Sequence, residues 1–173
     1  MHTAPADAVR VGRADVDAVL TMVRTLGDLA AEYGGGHVRH LAISYLNHNA
    51  GPWLKGRFDE ETGRQLYGAT SQLTHLIGWM PQDHSDDPSA AIPYYEQAHR
   101  LAAEAGEPEL AATALRGMTV QVLAMGPRHR ARAVNLAEQC MNSAKDLSAP
   151  RARAYYQTTL AEAVALDGVS LRV

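Results

Sequence analysis

The chain has 173 residues, of which 46% are hydrophobic and only 6% are aromatic. This length suits one domain with a sizeable core, and an apolar set dominated by alanine favours close helix packing over a β-sandwich or barrel. Sixteen Lys and Arg against nineteen Asp and Glu give a formal net charge of -3. Because no basic run is long enough to follow a phosphate backbone, we expect no direct nucleic-acid binding.

The sequence predicts neither a signal peptide nor a membrane span. The first twenty residues are interrupted by charges such as Asp7, Arg10 and Asp15, which excludes the apolar core of a signal peptide. No later stretch reaches the ~18 apolar residues that a membrane span needs. The single cysteine, Cys140, fits a reducing compartment. We therefore expect a cytoplasmic protein without membrane contact.

The predicted elements begin after a loose leader over residues 1–12. Apolar residues at three- and four-residue steps predict a first helix over 14–33. A triple glycine at 34–36 then breaks the chain. A second helix starts near residue 37 and is expected to stop at Gly51-Pro52, after which Trp53 and Leu54 fold back as an apolar plug.

Five further helices follow. Asp59 is a candidate N-cap for the third, which ends before Pro81. The last four helices are predicted over 88–106, 108–125, 130–147 and 150–167. The predicted fold is all-α, an α-solenoid of about seven antiparallel helices that forms one domain over residues 13–173.

Two of the predicted helices resemble each other at a step of 42 residues, since the segment 91–102 aligns with 133–144. The identical pairs are Ala91/Ala133, Glu96/Glu138, Gln97/Gln139 and Ala102/Ala144. Self-similarity at a fixed step is typical of a repeat array. Such arrays stack helix pairs and present a surface to a partner or ligand.

The spacing of Ala91, Tyr95 and Ala98 resembles the second-helix consensus of tetratricopeptide repeats, although 42 residues exceed their ~34-residue unit. The first-helix consensus is similar to the spacing of Leu73, Leu76, Ile77 and Met80. Two further steps of 42 predict the next core positions: Leu115, Met118, Thr119 and Val122, then Gln157, Leu160, Ala161 and Val164. By the same step, Cys140 matches Ala98 and is expected to be a packed core thiol.

Three segments, 10–17, 33–37 and 69–80, together resemble the C-terminal, tetratricopeptide-like regulatory region of actinobacterial helix-turn-helix transcriptional regulators. That resemblance implies regulation through ligand or partner binding and no defined reaction. In those proteins a DNA-binding domain precedes this region. Because Met1 lies only ten residues ahead of the first segment, we expect a stand-alone regulatory module here.

In tetratricopeptide-like arrays, first-helix residues beside the packing positions form a concave wall. Here those residues are Ser71, Thr74, Thr113, Arg116, Tyr155, Thr158 and Glu162. Three histidines, His37, His40 and His75, complete the candidate ligand-binding set. A groove with hydroxyls, a guanidinium and a phenol suits a small polar molecule or an extended peptide. The alternative is an ordinary solvated surface.

The histidines also raise metal and enzyme hypotheses. His37 and His40 share a helical face, but two ligands do not make a metal site, and the chain contains no metal-binding or phosphate-binding motif. We therefore expect no metal and no cofactor. The alternative to a binding module is a small biosynthetic enzyme built on a regulator-derived helical scaffold, with His37, His40 and His75 as acid-base candidates.

Two serine-histidine pairs, Ser44 with His48 and Ser71 with His75, have the i, i+4 spacing that allows contact within a helix. Neither pair belongs to a nucleophile elbow, so chance pairing in a helix is the plainer interpretation.

The last predicted helix, over 150–167, has no second helix to complete its pair. Its apolar positions would be covered by a second copy of the chain, so we expect a homodimer. A third hypothesis follows, in which the protein is an adaptor that dimerises and docks another protein.

Overall fold

The structure is a computed structural model that describes residues 9–80 and 87–169. Seven helices of 11 to 21 residues occupy most of these ranges, and the fold is all-α as predicted. The helices are α1 (Arg13–Tyr33), α2 (Gly35–Tyr45), α3 (Glu60–Trp79), α4 (Ile92–Ala105), α5 (Pro108–Ala124), α6 (Arg130–Ala144) and α7 (Pro150–Val169). In the part of the chain that is described, no helix is apolar over the length that crossing a membrane requires.

Local capping sets several helix boundaries. The Asp15 carboxylate accepts a hydrogen bond of 2.8 Å from the backbone N–H of Gly12 at the start of α1. At the start of α3, the Asp59 carboxylate accepts one of 2.7 Å from the Thr62 N–H, as predicted. Gly106 ends α4 in the left-handed conformation at φ 70°, which glycine adopts without strain.

The second helix does not stop at Gly51-Pro52. It continues through a π-helical turn (Leu46–Ala50) and a last turn (Gly51–Trp53). The Gly51 N–H donates to the Leu46 carbonyl five residues back, and this wider turn makes room for Pro52, whose ring would clash inside a regular α-helix. The Trp53 ring packs edge-on against Tyr45 with centroids 6.3 Å apart, but Trp53 lies in the last turn of the same helix and does not fold back as predicted.

The prediction of a loose leader over residues 1–12 is wrong for residues 9–12. The Arg57 N–H donates to the Val9 carbonyl at 2.8 Å, and the Val11 N–H donates to the Arg57 carbonyl at 2.9 Å. Val11 is buried in the core. The remainder of the predicted leader lies outside the described residues.

The helices stack as antiparallel pairs in two rows. From α3 onward each helix packs against the one before it, and α1 packs against both α2 and α3. In addition, α3 contacts α5 and α5 contacts α7. These three helices form an inner row, and α4 and α6 form an outer row behind them, as expected for a helical repeat array.

Two hydrophobic clusters support this arrangement. The first joins α1, α2 and α3 around Val19, Leu66 and Leu73. The second joins α4 to α7 and includes Cys140. The Cys140 thiol donates to the Ala112 carbonyl at 3.2 Å, and burial raises its pKa to about 11. The predicted core thiol is therefore confirmed.

The step of 42 residues holds in the outer row and between α3 and α5. The aligned small residues of the outer row are all buried: Ala98 and Ala102 in α4, Ala91 just before α4, and Ala133, Cys140 and Ala144 in α6. The inner-row residues predicted on α5 are buried as well: Leu115, Met118, Thr119 and Val122.

The core positions that the same step predicts for α7 are wrong. This helix buries Tyr156, Thr159 and Ala163, one residue before the predicted positions, and Gln157 is exposed. One residue corresponds to a rotation of ~100° about the helix axis. If Gln157 were buried instead, its side-chain amide would need a hydrogen-bond partner in the core. Tyr156 avoids this cost, because its ring is apolar and its hydroxyl lies 2.8 Å from the Thr113 hydroxyl.

Candidate ligand-binding groove

A groove with a volume of about 410 Å³ opens along the inner row. It is lined by His75, Leu76 and Trp79 of α3, Tyr95 of α4, Thr113, Arg116, Gly117, Val120 and Gln121 of α5, and Tyr155 of α7. We call it the concave groove. Its volume lies within the ~300–1,000 Å³ typical of ligand sites.

Within the described ranges, three other cavities have comparable volumes of about 420, 580 and 610 Å³. The concave groove differs from them in its exposed apolar surface. Eight large apolar residues of the described ranges are exposed, and three of them, Trp79, Val120 and Tyr155, line this groove. None lines the other three cavities. Because clustered apolar exposure marks binding surfaces, the concave groove is the best candidate site.

Four of the predicted ligand-binding residues line the groove: His75, Thr113, Arg116 and Tyr155. Two others are in the core instead. The Ser71 hydroxyl donates to the Ala98 carbonyl at 2.8 Å, and the Thr74 hydroxyl donates to the Thr70 carbonyl at 2.7 Å. The inner face of α3 is covered at these two positions because α3 packs against α1, α4 and α5 together.

The remaining candidates lie outside the lining. Thr158 is exposed on α7 and its hydroxyl donates to the Tyr155 carbonyl of the same helix at 2.7 Å. His40 is exposed on α2, which contributes no residue to the groove. His37 lies on the same helix, and its side chain is outside the described residues. Glu162 is exposed on α7 and does not line the groove.

The predicted serine-histidine pairs do not form activated nucleophiles. Ser71 gives its hydrogen bond to the Ala98 carbonyl and not to His75. His48 Nδ1 lies 2.9 Å from the Ser44 carbonyl oxygen and 3.4 Å from its hydroxyl, so the closer partner is the backbone. Among the described residues, no three His, Cys, Asp or Glu side chains are grouped as metal ligands.

Tyr95 forms the floor of the groove, which the sequence did not indicate. Its ring comes from the outer row and passes between two glycines of the inner row. A Cβ placed on Gly117 would lie 2.2 Å from Tyr95 Cε1, and one on Gly78 would lie 3.2 Å from the ring. The missing side chains therefore admit the ring. His75 packs edge-on against it, with ring centroids 5.3 Å apart.

Burial shifts the pKa values of two titratable groups of the groove further from neutral pH. It raises the pKa of Tyr95 to about 12, although a hydrogen bond from the Gln121 side chain and the charge of Arg116 oppose this shift. It also lowers the pKa of His75 to about 4, with a further contribution from the Arg116 charge. The phenol is thus a hydrogen-bond donor and the imidazole is neutral.

Arg116 carries the one full charge among the described lining residues at neutral pH. Its guanidinium lies 4.4 Å from the centroid of the Tyr155 ring, a cation–π contact. Its Nε is buried and has no hydrogen-bond partner within the described residues. The groove therefore combines a cation with exposed aromatic surface.

No family model, no curated protein and no solved structure matches this chain. The resemblance to the regulatory region of helix-turn-helix regulators accordingly stays a prediction.

Proposed function

We propose that this protein is a regulatory, ligand-binding helical repeat module, which takes a small molecule or a peptide side chain into the concave groove. The observation that carries the proposal is the joint placement of Trp79, Tyr155 and Arg116 around one opening. Trp79 and Tyr155 are 54% and 51% exposed. A bound ligand would cover this aromatic surface.

The exposed aromatic area supplies a driving force for binding. A large aromatic side chain offers about 150–250 Å² of surface, and about half of it is exposed in Trp79 and in Tyr155. At ~25 cal/mol per Å², covering one of these side chains is worth roughly 2 kcal/mol. The floor of the groove is held in place without a ligand, because Tyr95 is confined between Gly78 and Gly117. Such preorganisation lowers the entropic cost of binding.

The enzyme hypothesis has less support. His75 is in the wall of the groove, as acid-base chemistry would require. However, its pKa of about 4 is far from the value near 7 that suits a general base at neutral pH. None of the described residues that line the groove is a carboxylate that could orient the imidazole.

A regulatory module needs a way to report that its ligand is bound, and a partner protein or a second copy of the chain would supply it. Val164 and Leu166 are exposed on α7, the helix that also carries Tyr155 into the groove. This surface supports the homodimer prediction, which native mass spectrometry would test.

The proposal is tested by screening a set of fluorinated fragments, containing acids, amines and neutral compounds, with ¹⁹F NMR. Fragments that bind the wild-type chain should lose binding in the double variant Trp79→Ala, Tyr155→Ala. They should keep it in Tyr33→Ala, a matched control because Tyr33 is 72% exposed and lies outside the groove. Binding that survives the double variant would place the ligand site elsewhere and refute the proposal.

A further inference from the structure

We infer that the natural ligand joins an anionic group, a carboxylate in the first instance, to an apolar or aromatic body, and that Arg116 binds the anion. This inference rests on the proposed function and names the chemical class of its ligand. Three features support it: the charge of the groove, the contact of Arg116 with Tyr155, and the exposed apolar surface beside them.

Within the described lining, no carboxylate balances the positive charge of Arg116. Arg116 is the one cation of the groove, and no Asp or Glu occurs among the described lining residues. Other arginines differ in this respect, since Arg64 pairs with Glu61 and Arg132 with Glu96. A cation in a partly desolvated groove attracts an anionic ligand and repels a cationic one.

The orientation of Arg116 leaves donors for a ligand. Its guanidinium carbon lies over the Tyr155 ring, and a guanidinium has five N–H donors, of which a contact with one ring does not use all. The buried Nε has no partner among the described residues. Because Arg116 as a whole is only half-buried, a carboxylate in the groove would accept charge-assisted hydrogen bonds from the exposed part of the guanidinium.

The remainder of the lining fits an apolar or aromatic body. Trp79 and Val120 are exposed at 54% and 40%, and both line the groove together with Leu76. The Tyr95 hydroxyl at the floor is already hydrogen-bonded by Gln121. Besides neutral polar side chains such as His75 and Gln121, the lining therefore offers a ligand exposed apolar surface and one cation. A volume of about 410 Å³ accommodates one ring with its acid group.

Two sources can supply this chemistry, a free organic acid and the C-terminal residue of a peptide. The experiment therefore uses two matched pairs. The first pair is 4-fluorophenylacetate and 4-fluorophenylacetamide, which differ in charge but share the ring. The second pair is an Ala-Ala-Ala-(4-fluorophenylalanine) peptide with a free C-terminus and the same peptide with a C-terminal amide.

Dissociation constants are measured by ¹⁹F NMR titration for the wild-type chain, Arg116→Gln and the control Arg132→Gln, an exposed arginine on α6. We expect each acid to bind about tenfold more tightly than its amide, the size of a charge-assisted hydrogen bond in a half-open site. Arg116→Gln should abolish this difference, and Arg132→Gln should preserve it. If the peptide acid binds more tightly than 4-fluorophenylacetate, the natural ligand is the C-terminus of a peptide. If 4-fluorophenylacetate binds more tightly, the natural ligand is a free organic acid.

Equal affinity for acid and amide, with both lost in Trp79→Ala, would overturn the inference and leave the proposed function standing. An acid preference that persists in Arg116→Gln would also overturn it. If neither probe binds while other fragments bind at Trp79, the inference fails alone. If no fragment binds the groove, the proposed function fails with it.

Discussion

The ring of Tyr95 lies so close to Gly117 that a Cβ at that glycine would be 2.2 Å from Tyr95 Cε1. Tyr95 belongs to the outer row of helices and Gly117 to the inner row. The ring therefore reaches the concave groove only because the inner helix has no side chain at this point. Both the stability of the fold and the floor of the groove depend on this contact.

Gly117→Ala is expected to destabilise the protein. The new methyl group would force the Tyr95 ring out of its position, and overpacking of this kind costs about 1–3 kcal/mol. Gly27→Ala is the matched control, because nothing lies within 4 Å of a Cβ there and alanine is the better helix former. Urea unfolding at neutral pH measures the unfolding free energies of Gly117→Ala and Gly27→Ala. Equal stability of the two variants would contradict the placement of Tyr95.

The sequence predicted the outer row well because its positions obey one rule. Small residues recur at a step of 42 residues at several positions where α4 and α6 are buried, as Ala98 and Cys140 show. The floor of the groove breaks that rule. Gly78 and Gly117 are not related by the step, since the residue 42 positions after Gly78 is Val120, so their joint contact with Tyr95 appears only once the helices are packed.

Ser71 and Thr74 show a second limit of sequence reasoning. Small hydroxyl side chains occur both in a solvent-exposed groove wall and in a helical core, because in the core a backbone carbonyl can accept their hydrogen bond. Both residues use this option. Burial at these positions follows from how many helices surround α3, which the spacing of residues in one helix does not determine.

The rotation of α7 is tested by two neighbouring substitutions. Tyr156→Ala should cost about 3 kcal/mol of unfolding free energy because it removes a buried aromatic ring. Gln157→Ala should change the free energy by less than about 0.5 kcal/mol because Gln157 is exposed. Both free energies are measured by urea unfolding. A larger loss in Gln157→Ala than in Tyr156→Ala would mean that the step of 42 residues holds in α7 after all.

The buried hydroxyl of Thr159 is an expected site of stabilisation. Its Oγ1 has no hydrogen-bond partner among the described residues, so Thr159→Val should raise the unfolding free energy by about 1 kcal/mol. Thr119→Val is the control, because the Thr119 hydroxyl donates to the Leu115 carbonyl at 2.8 Å and its removal should be neutral or destabilising. A more stable Thr119→Val than Thr159→Val would contradict this assignment.

His75 should make the protein less stable in weak acid. Burial lowers its pKa from 6.5 to about 4 in the folded state, so between these values the unfolded chain binds more protons. The stabilisation is complete above pH 6.5 and is lost as the pH falls toward 4, with an upper limit of roughly 3 kcal/mol. Unfolding free energies of the wild-type chain and His75→Gln at several pH values measure the difference.

In that experiment His75→Gln should show a shallower decline between pH 6.5 and 4. A residual slope is expected from His99, whose pKa is also lowered by burial and by Arg100. Parallel pH profiles for the variant and the wild-type chain would show that His75 is solvated in the folded protein.

The most direct test of the concave groove as a ligand site uses the two tryptophans of the chain. Trp79 lines the groove, whereas Trp53 packs against Tyr45 in the first cluster. The indole N–H signals are assigned in a ¹⁵N–¹H spectrum with Trp79→Phe and followed during titration with a fragment that binds the wild-type chain in the ¹⁹F screen. If the concave groove is the ligand site, the Trp79 signal shifts in a saturable way while that of Trp53 stays in place. A stationary Trp79 signal, or a shift of Trp53 alone, would contradict the groove as the ligand site.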